Sequence, residues 1–323
     1  MINLTIRSYK GETDLQAISD LLNACEAVDK LNKGASVSEL QEASNDISID
    51  KARDIRLWED ANCKLIGIGY LSLSTSDETI NALLLCCVHP NARSGNLERQ
   101  IVAWAEQRMR EVQQERDVSV KLHISARDDK VGLIALLESN GFKSESYVLI
   151  MRRSLKEPIP EPQLPASFTL RQVRSQQDAE AWVEFYHRSF IDNSSYYNLT
   201  VEHFHNLRSP PTYRPELDLV AIAPDGTFAA CCDCSINPES NKRNRHSEGW
   251  IDKLGTRRGF RRIGLGRAML LFGMRQLQAA GMDIAKLAVD FDNPNGALQL
   301  YESVGFHKLY TLISYVKDWT LEK

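Results

Sequence analysis

The chain has 323 residues, which is long enough for two domains of about 150 residues each. Its 39 Lys and Arg against 43 Asp and Glu give a net charge of −4, which argues against nucleic-acid or acidic-membrane partners that require a global excess of positive charge. A composition with 43% hydrophobic and 25% charged residues excludes an extended disordered chain.

The sequence carries no signal for membrane insertion or export. Its longest strongly apolar run, Ala82 to Val88, is far too short to span a bilayer, and the start MINLTIRSYKGE has no basic segment followed by an apolar one. We therefore expect a cytoplasmic protein without a membrane partner. The seven cysteines are an odd number in apolar runs, which favours reduced thiols. Cys231 and Cys234 form a lone CxxC, which we interpret as strand core, and we expect no metal.

The chain is an internal duplication. Three pairs of matching segments lie 164 residues apart: Thr5-Ile6-Arg7 with Thr169-Leu170-Arg171, Asp14 with Asp178, and Gly141-Phe142 with Gly305-Phe306. The four prolines between 157 and 165 predict an extended linker. The predicted organisation is a first repeat over 1–154, a linker over 155–167 and a second repeat over 168–323.

Each repeat has a similar predicted order of elements. In the first repeat we expect strands at 3–8, 55–58, 65–73 and 83–88, with a helix after Asp14. In the second we expect strands at 168–174, 218–223, 227–236, 250–254, 286–291 and 306–316, and helices after Asp178, from Leu265 to a stop at Gly281, and over 293–304. Asp14 and Asp178 are candidate N-caps. This mixture predicts an α/β or α+β fold.

A cationic, glycine-rich segment lies where a strand of the second repeat leads into a helix. It reads Arg261-Arg262-Ile263-Gly264-Leu265-Gly266-Arg267-Ala268. Glycines allow close approach of the backbone to a ligand, and a helix start offers unpaired N–H groups, so the pattern predicts a phosphate or pyrophosphate cradle. Five arginines between 257 and 267 favour this interpretation. No Gly-Lys-Ser/Thr follows, and Met269 replaces the third glycine of a dinucleotide fingerprint, so neither nucleotide fold is supported.

This segment resembles the R/Q-x-x-G-x-G/A signature of the GCN5-related N-acetyltransferases, the GNAT superfamily. About 30 residues later, the segment from Asn293 to Phe306 resembles that family's second signature. Asn293 can also cap a helix that Pro294 begins and Gly305 ends. The resemblance implies two tandem GNAT-like domains, each a mixed, mostly antiparallel twisted sheet flanked by helices.

The resemblance also implies acetyl-CoA as cofactor and N-acetyltransferase activity in the second repeat. It places the pyrophosphate on the turn and the pantetheine arm between splayed strands that end near Leu254 and Val289. The cofactor-binding candidates are Leu254, Gly255, Thr256, Arg261, Arg262, Ile263, Gly264, Leu265, Gly266, Arg267 and Asn293.

The family's catalytic tyrosine matches Tyr301, whose hydroxyl can protonate the departing thiolate; packing in the core is the alternative role. Trp250 stands where relatives often carry a glutamate that serves as base. Its neighbours Glu248 and Asp252 share its strand parity and are the candidate bases, or else surface carboxylates.

The first repeat lacks these features. Asn96 and Glu98 replace the two signature glycines, and Leu137 stands at the position of the tyrosine. A carboxylate at this turn repels a pyrophosphate, so we expect the first repeat to have kept the fold and lost the reaction.

The acceptor is expected to be a small-molecule or peptide amine. Aromatic residues between 196 and 213 are either acceptor-pocket residues or loop-packing residues: Tyr196, Tyr197, His203, Phe204, His205 and Tyr213. The tandem plan also resembles that of the mycothiol synthases, which acetylate a cysteinyl amine. A non-catalytic acyl-CoA sensor is the alternative from another class.

Overall fold

A computed structural model of the chain describes residues 4–31, 34–43, 50–76, 79–193, 196–210, 212–293 and 295–320. In chain order, the elements of the first repeat are β1 (Thr5–Ser8), α1 (Leu15–Asp29), α2 (Val37–Ala43), α3 (Lys51–Asp54), β2 (Ile55–Glu59), β3 (Leu65–Ser76), β4 (Thr79–Val88), α4 (Asn96–Arg116), β5 (Ser119–Arg127), α5 (Val131–Ser139) and β6 (Lys143–Ser154). Those of the second repeat are β7 (Thr169–Gln172), α6 (Ala179–Phe190), α7 (Val201–Arg208), β8 (Asp218–Ile222), β9 (Phe228–Ser235), α8 (Pro238–Asn244), β10 (Glu248–Thr256), α9 (Leu265–Ala279), β11 (Ile284–Asp290), α10 (Ala297–Glu302) and β12 (His307–Trp319).

The chain forms two compact units, and each sequence repeat contributes the carboxyl-terminal part of its last strand to the unit of the other repeat. Unit 1 comprises Met1–Tyr147 and Leu312–Lys323, and unit 2 comprises Val148–Thr311. The carboxyl-terminal part of β6 therefore belongs to unit 2, and that of β12 belongs to unit 1. The predicted boundaries follow the sequence repeats, whereas the compact units do not, because each repeat contributes one strand to the sheet of the other unit.

Each unit contains a six-stranded mixed sheet. In unit 1 the order is β1-β2-β3-β4-β5-β12, and in unit 2 it is β7-β8-β9-β10-β11-β6. All pairs within a unit are antiparallel except β4 with β5 and β10 with β11. The predicted fold class, a mixed and mostly antiparallel sheet flanked by helices, is confirmed.

Strand β9 explains the cysteine-rich run of the second repeat. Alternate residues face opposite sides of the sheet, so Cys231 packs with the aromatic residues of α6, whereas Cys232 packs with α9. A Cβ at Gly273 of α9 would lie 2.4 Å from the sulfur of Cys232, which shows how closely the helix approaches. Cys231 and Cys234 are both buried, as expected of strand core. No group of three or more metal-ligating side chains is found within the described ranges.

Asp14 and Asp178 occupy N-cap positions but do not cap their helices. Asp178 accepts hydrogen bonds from the guanidinium of Arg171 at 2.5 and 3.0 Å and from the backbone N–H of Arg174 at 2.7 Å. Asp14 makes the same set of contacts with Arg7 and with the N–H of Lys10. The capping prediction was therefore wrong, because a preceding arginine takes the carboxylate; the duplication preserves this contact.

Two other predicted elements differ from the structure. The strand predicted over 306–316 is longer in the structure: β12 runs from His307 to Trp319. The helix predicted from 293 begins only at Ala297, after Gly296 in a left-handed conformation. No helix among the described residues is long and apolar enough to cross a membrane.

Candidate active site

The turn between β10 and α9 presents a row of unpaired backbone donors. Arg262 and Gly264 have φ angles of 64° and 92°, and α9 begins immediately afterwards at Leu265. Among the described residues, no acceptor pairs with the N–H groups from Arg262 to Arg267. The next N–H, that of Ala268, donates to the carbonyl of Gly264 at 3.0 Å. Free donors at a helix N-terminus are suited to bind phosphate groups.

The two signature glycines are required for different reasons. The positive φ of Gly264 is a conformation that side chains disfavour, although a Cβ there would meet no neighbour. At Gly266, a Cβ would lie 3.3 Å from the hydroxyl oxygen of Thr256 and 3.7 Å from Leu300. Together they keep the donors of the turn uncovered.

Arg261 connects the turn to neighbouring segments through three hydrogen bonds. Its guanidinium donates to the carbonyl of Thr256 at 3.0 Å, to Asn295 Oδ1 at 2.8 Å and to the carbonyl of Ser189 at 3.2 Å. Burial lowers the pKa of this guanidinium from its ordinary value. Arg261 lines the cavity described below, but its three nitrogen atoms already have acceptors.

The other four arginines fall into two pairs. Two are neutralised by carboxylates: Arg257 by Glu184 and Arg258 by Asp192. Arg262 and Arg267 line the cavity and have no carboxylate partner among the described residues; Arg267 donates to the hydroxyl of Ser303 at 2.7 Å. Arg262 and Arg267 are therefore the cations available to an anionic ligand.

Ile263 and Leu265 were predicted to bind the cofactor, but their side chains point elsewhere. Ile263 is half exposed and Leu265 is buried in the core beneath α9, and neither is among the residues that line the cavity. Only their backbone N–H groups can contribute.

A cavity of about 700 Å³ opens where β10 and β11 separate. Their parallel pairing ends at Ile251 and Leu287, and a β-bulge places Asp252 as an extra residue between Ile251 and Lys253. This is the splay that the resemblance implies. The predicted cofactor-binding residues that line the cavity are Leu254, Gly255, Thr256, Arg261, Arg262, Gly264, Gly266, Arg267 and Asn293.

Asn293 lines the cavity without capping a helix. Its Oδ1 accepts the N–H of Asn295 at 3.0 Å, which stabilises the turn before α10. The predicted cap was therefore wrong, because the helix starts four residues later, after Gly296. Pro294, predicted to begin that helix, lies outside the described residues.

Tyr301 lies on α10 with its ring buried and its side chain on the cavity wall. The ring packs edge-on against Phe306 at 6.1 Å between centroids. Burial raises the pKa of the hydroxyl above its ordinary value, and the nearby Cys232 thiol adds to the shift. The hydroxyl has no hydrogen-bond partner in the described part of the chain, so it stays protonated and able to donate.

Of the two candidate bases, the structure brings only Asp252 to the cavity. Loss of hydration raises the pKa of Asp252 to about 6, and the charge of Asp233 adds to this shift, while Ser235 and Lys253 oppose it. Lys253 itself contacts Asp233 at 3.3 Å. The Asp252 carboxylate therefore ionises near neutral pH, where a proton acceptor is useful.

Glu248 does not line the cavity. It is buried in an ion pair with Lys286, and His246 Nε2 lies 3.7 Å from its carboxylate. Lys286 also lies 5.9 Å from the ring of Trp250, which is its register partner on β10. Parity alone could not separate Glu248 from Asp252, because Asp252 is itself the extra residue of the bulge.

One wall of the cavity is lined by the tyrosines Tyr186, Tyr196 and Tyr197. Tyr186 stacks on Tyr196 with 5.8 Å between centroids and contacts Tyr197 at 5.6 Å. The Tyr196 hydroxyl lies 2.7 Å from His187 Nδ1, whose ring also contacts the carbonyl of Leu199. This wall is therefore held in place by hydrogen bonds as well as by stacking.

The predicted aromatic group thus divides between the cavity and the core. Tyr196 and Tyr197 line the cavity, whereas Phe204 is fully buried against Trp182. Tyr213 donates to Asp218 at 3.0 Å. Of the two histidines, His203 accepts the N–H of Thr200 at the start of α7, and His205 is exposed.

Sequence reasoning missed the cavity residues contributed by α6 and the segment after it. These are Tyr186, Ser189, Phe190 and Asn193. The amphipathic pattern of α6 gives its buried face, but not which of those residues reach the cavity. In the structure, Gly255 leaves room for the Phe190 ring, because a Cβ at this position would lie 2.5 Å from that ring.

The first repeat fills its corresponding turn with its own side chains. Glu98 accepts the N–H of Gly95 at 3.1 Å at the start of α4, where an anion would otherwise bind. Arg93 pairs with Asp29 at 2.5 Å, and Leu137 is fully buried in the core. These contacts support the prediction that this repeat lost the reaction.

Comparison with known proteins agrees with this site. Residues 179–306 match the Acetyltransferase (GNAT) family model, a segment that contains both signatures. The second repeat is therefore similar to the acetyltransferases of this family. The chain is 26% identical over 306 residues to a mycothiol acetyltransferase of Thermomonospora curvata, covering 94% of this chain and 95% of that protein.

Two solved structures have the same fold as this chain. One is a GCN5-related N-acetyltransferase from Sphaerobacter thermophilus, with a TM-score of 0.77, 22% identity, and coverage of 99% of this chain and 97% of that one. The other is a tandem GNAT protein from the clavulanic acid biosynthesis pathway, with a TM-score of 0.73, 14% identity and complete coverage of both chains. GNAT acetyltransferases use acetyl-CoA, so the remaining questions are which residues act and on which acceptor.

Proposed function

We propose that the cavity of unit 2 transfers acetyl from acetyl-CoA directly to a primary amine, without a covalent enzyme intermediate. The row of six free N–H groups from Arg262 to Arg267 is the observation that carries the proposal. It is a ready site for a diphosphate, and the first repeat blocks its equivalent with Glu98.

The residues present fit the cofactor. The backbone of the turn, with the side chains of Arg262 and Arg267, would hold the pyrophosphate. The separated strands near Leu254 and Val289 would hold the pantetheine arm, because their backbones lose their partners there. When bound, acetyl-CoA supplies an activated acetyl group as a thioester.

Two side chains that line the cavity would each carry out one of the two proton transfers. Tyr301 would donate its proton to the departing thiolate. A thiol with an ordinary pKa near 8.5 leaves as an anion, so a proton donor within hydrogen-bond reach lowers the barrier. Asp252 would accept the proton of the attacking amine, directly or through water, and above about pH 6 it is ionised. Glu248, held by Lys286, has no part in this scheme.

The acceptor is proposed to be a small-molecule or peptide amine that binds beside the tyrosine-lined wall. An ammonium group there would meet the Asp252 carboxylate and the faces of Tyr186 and Tyr197. The match to a mycothiol acetyltransferase along almost the whole chain supports a cysteinyl amine as the first acceptor to test.

The deciding experiment measures acetylated product by mass spectrometry. Full-length protein is incubated with acetyl-CoA and a panel of amines that includes a cysteinyl amide and its seryl analogue. Transfer to a primary amine supports the proposal, and preference for the cysteinyl amide over its seryl analogue supports the narrower acceptor class. Acetyl-CoA binding without transfer to any amine would instead support the non-catalytic sensor.

A further inference from the structure

Two cysteine thiols lie in contact in unit 1, outside the proposed active site. Cys25 on α1 and Cys87 on β4 have their sulfur atoms 3.1 Å apart, and the Cys87 thiol donates to Cys25. Both are free. Two residues far apart in sequence are thus held closer than the ordinary contact distance of unbonded atoms.

The surroundings make one member of the pair the better nucleophile. The Cys87 hydrogen bond lowers the pKa of Cys25, and the Arg93 guanidinium adds to this effect against the opposing influence of burial. The same hydrogen bond and burial raise the pKa of Cys87. Thiolate character is therefore concentrated on Cys25, with a protonated thiol beside it. Cys87 is only partly buried, which opens the pair to a small oxidant.

One member of the pair aligns with a residue that lines the cavity of the second repeat. The alignment that matches Asn96 with Gly264 matches Cys87 with Gly255, which lines the cavity of unit 2. The first repeat therefore has a thiol where the second repeat has a glycine on the cavity wall.

We propose that Cys25 and Cys87 form a reversible disulfide when the protein meets hydrogen peroxide. The Cys25 thiolate attacks one peroxide oxygen, the O–O bond breaks, and the departing hydroxide takes a proton to leave as water. The resulting sulfenic acid sulfur is then attacked by Cys87; the S–S bond forms, and a second hydroxide leaves with the Cys87 proton as water. Two thiols and one peroxide thus give one disulfide and two waters.

Neighbouring cysteines provide matched controls. Cys86 follows the opposite face of β4 and packs against a different core cluster, and burial raises its pKa to about 12. Cys63 is exposed and has no thiol partner among the described residues. Cys232 and Cys234 are 3.7 Å apart but wholly buried on one strand.

The test treats the reduced full-length protein with hydrogen peroxide, removes the excess with catalase, and blocks remaining thiols with N-ethylmaleimide in denaturant. After trypsin digestion, we expect peptide 11–30 joined to peptide 65–93, with the loss of two hydrogen atoms. Dithiothreitol should separate them. Cys86 should carry the maleimide, as should Cys63, Cys232 and Cys234.

The variants decide which sulfur atoms react. The link should persist in Cys86→Ser and Cys63→Ser and be lost in Cys25→Ser and Cys87→Ser, with Cys25→Ala and Cys87→Ala as second variants if either serine protein melts early by circular dichroism. Absence of the link in the wild type at peroxide doses that oxidise Cys63 would overturn the proposal. Persistence of the link in Cys87→Ser would overturn it as well.

Discussion

At neutral pH the two ionisable side chains proposed for catalysis differ in protonation. Burial raises the pKa of the Tyr301 hydroxyl and keeps it protonated, whereas the Asp252 carboxyl, with its pKa raised to about 6, is mostly ionised. A donor and an acceptor therefore face the same cavity, and each can be tested by removing one atom or one charge.

Replacing Tyr301 by Phe should lower kcat by roughly a hundredfold, the usual contribution of one general acid. The KM for acetyl-CoA should stay within about twofold, because the hydroxyl is not part of the turn that holds the pyrophosphate. Tyr315→Phe removes another tyrosine hydroxyl, one bonded to Glu138 in unit 1, and should leave kcat unchanged. An unchanged kcat for Tyr301→Phe would remove this residue from the mechanism.

The pH dependence should report Asp252. Its raised pKa means that the accepting form is present above about pH 6 and is lost as the pH falls through that value. We expect kcat/KM in the wild type to decline below about pH 6, and Asp252→Asn to be slow at every pH without that decline. Steady-state rates from pH 5 to 9 test this. Asp233→Asn removes a charge that raises the pKa of Asp252, so it should keep the decline but move it to lower pH. An unaltered pH profile in Asp252→Asn would contradict the assignment.

Asp178 should matter for stability rather than for catalysis. Burial raises its pKa, but the hydrogen bonds from Arg171 and Arg174 overcome this effect and hold the pKa below its ordinary value. Its stabilising contribution is therefore present above the unfolded pKa, near 4, and is lost as the pH falls through the lower folded value. Asp178→Ala should cost about 3 kcal/mol in urea unfolding at pH 7. Glu180→Gln, an exposed position on α6, should cost little.

Among the elements, α9 and its turn were the most predictable part of the site. Gly264 and Gly281 flank the two ends of the helix, and both have positive φ angles. The sequence indicated this conformation at the Gly281 stop, whereas at Gly264 it indicated only a close approach of the backbone to a ligand. Helix α10 was less predictable, because Asn293 is a good N-cap residue and nothing local shows that Gly296 delays the helix. The bulge at Asp252 has no sequence signal at all, since it depends on the pairing of β9 with β10.

The turn can be tested with an isosteric pair at Gly264. Asn tolerates the left-handed conformation better than most residues, and Asp adds a negative charge at the same size. We expect Gly264→Asp to bind acetyl-CoA at least about tenfold more weakly than Gly264→Asn, because the carboxylate opposes the pyrophosphate. Isothermal calorimetry on both variants measures the difference. Equal affinities would show that the turn does not contact the pyrophosphate.

In the whole molecule, the sequence revealed two copies of one fold but not how the strands are distributed. The strand residues of 148–154 pair with β11 inside unit 2, although they precede the proline-rich segment. A strand pattern shows that such residues pair, whereas their partner depends on long-range contacts that periodicity does not report. A cut at the linker between the repeats would therefore separate strand residues 148–154 from the rest of the sheet of unit 2.

Two fragments of the chain should show whether residues 148–154 are needed to complete the sheet of unit 2. Residues 168–323 lack the strand that covers β11, so we expect this fragment to aggregate or to unfold at lower urea than residues 148–311. Circular dichroism and gel filtration of the two fragments provide the comparison. If 168–323 were the more stable fragment, the strand exchange would not be needed for folding.

The exchange of strands also bears on why both repeats are kept. A deletion that removed the first repeat would also remove the segment that completes the sheet beneath the intact cleft. Natural selection could thus relax the turn and the tyrosine position of the first copy, where Glu98 and Leu137 now stand, while continuing to preserve its ability to fold. The duplicated gene would be bound to keep both halves even if only one of them worked as an enzyme.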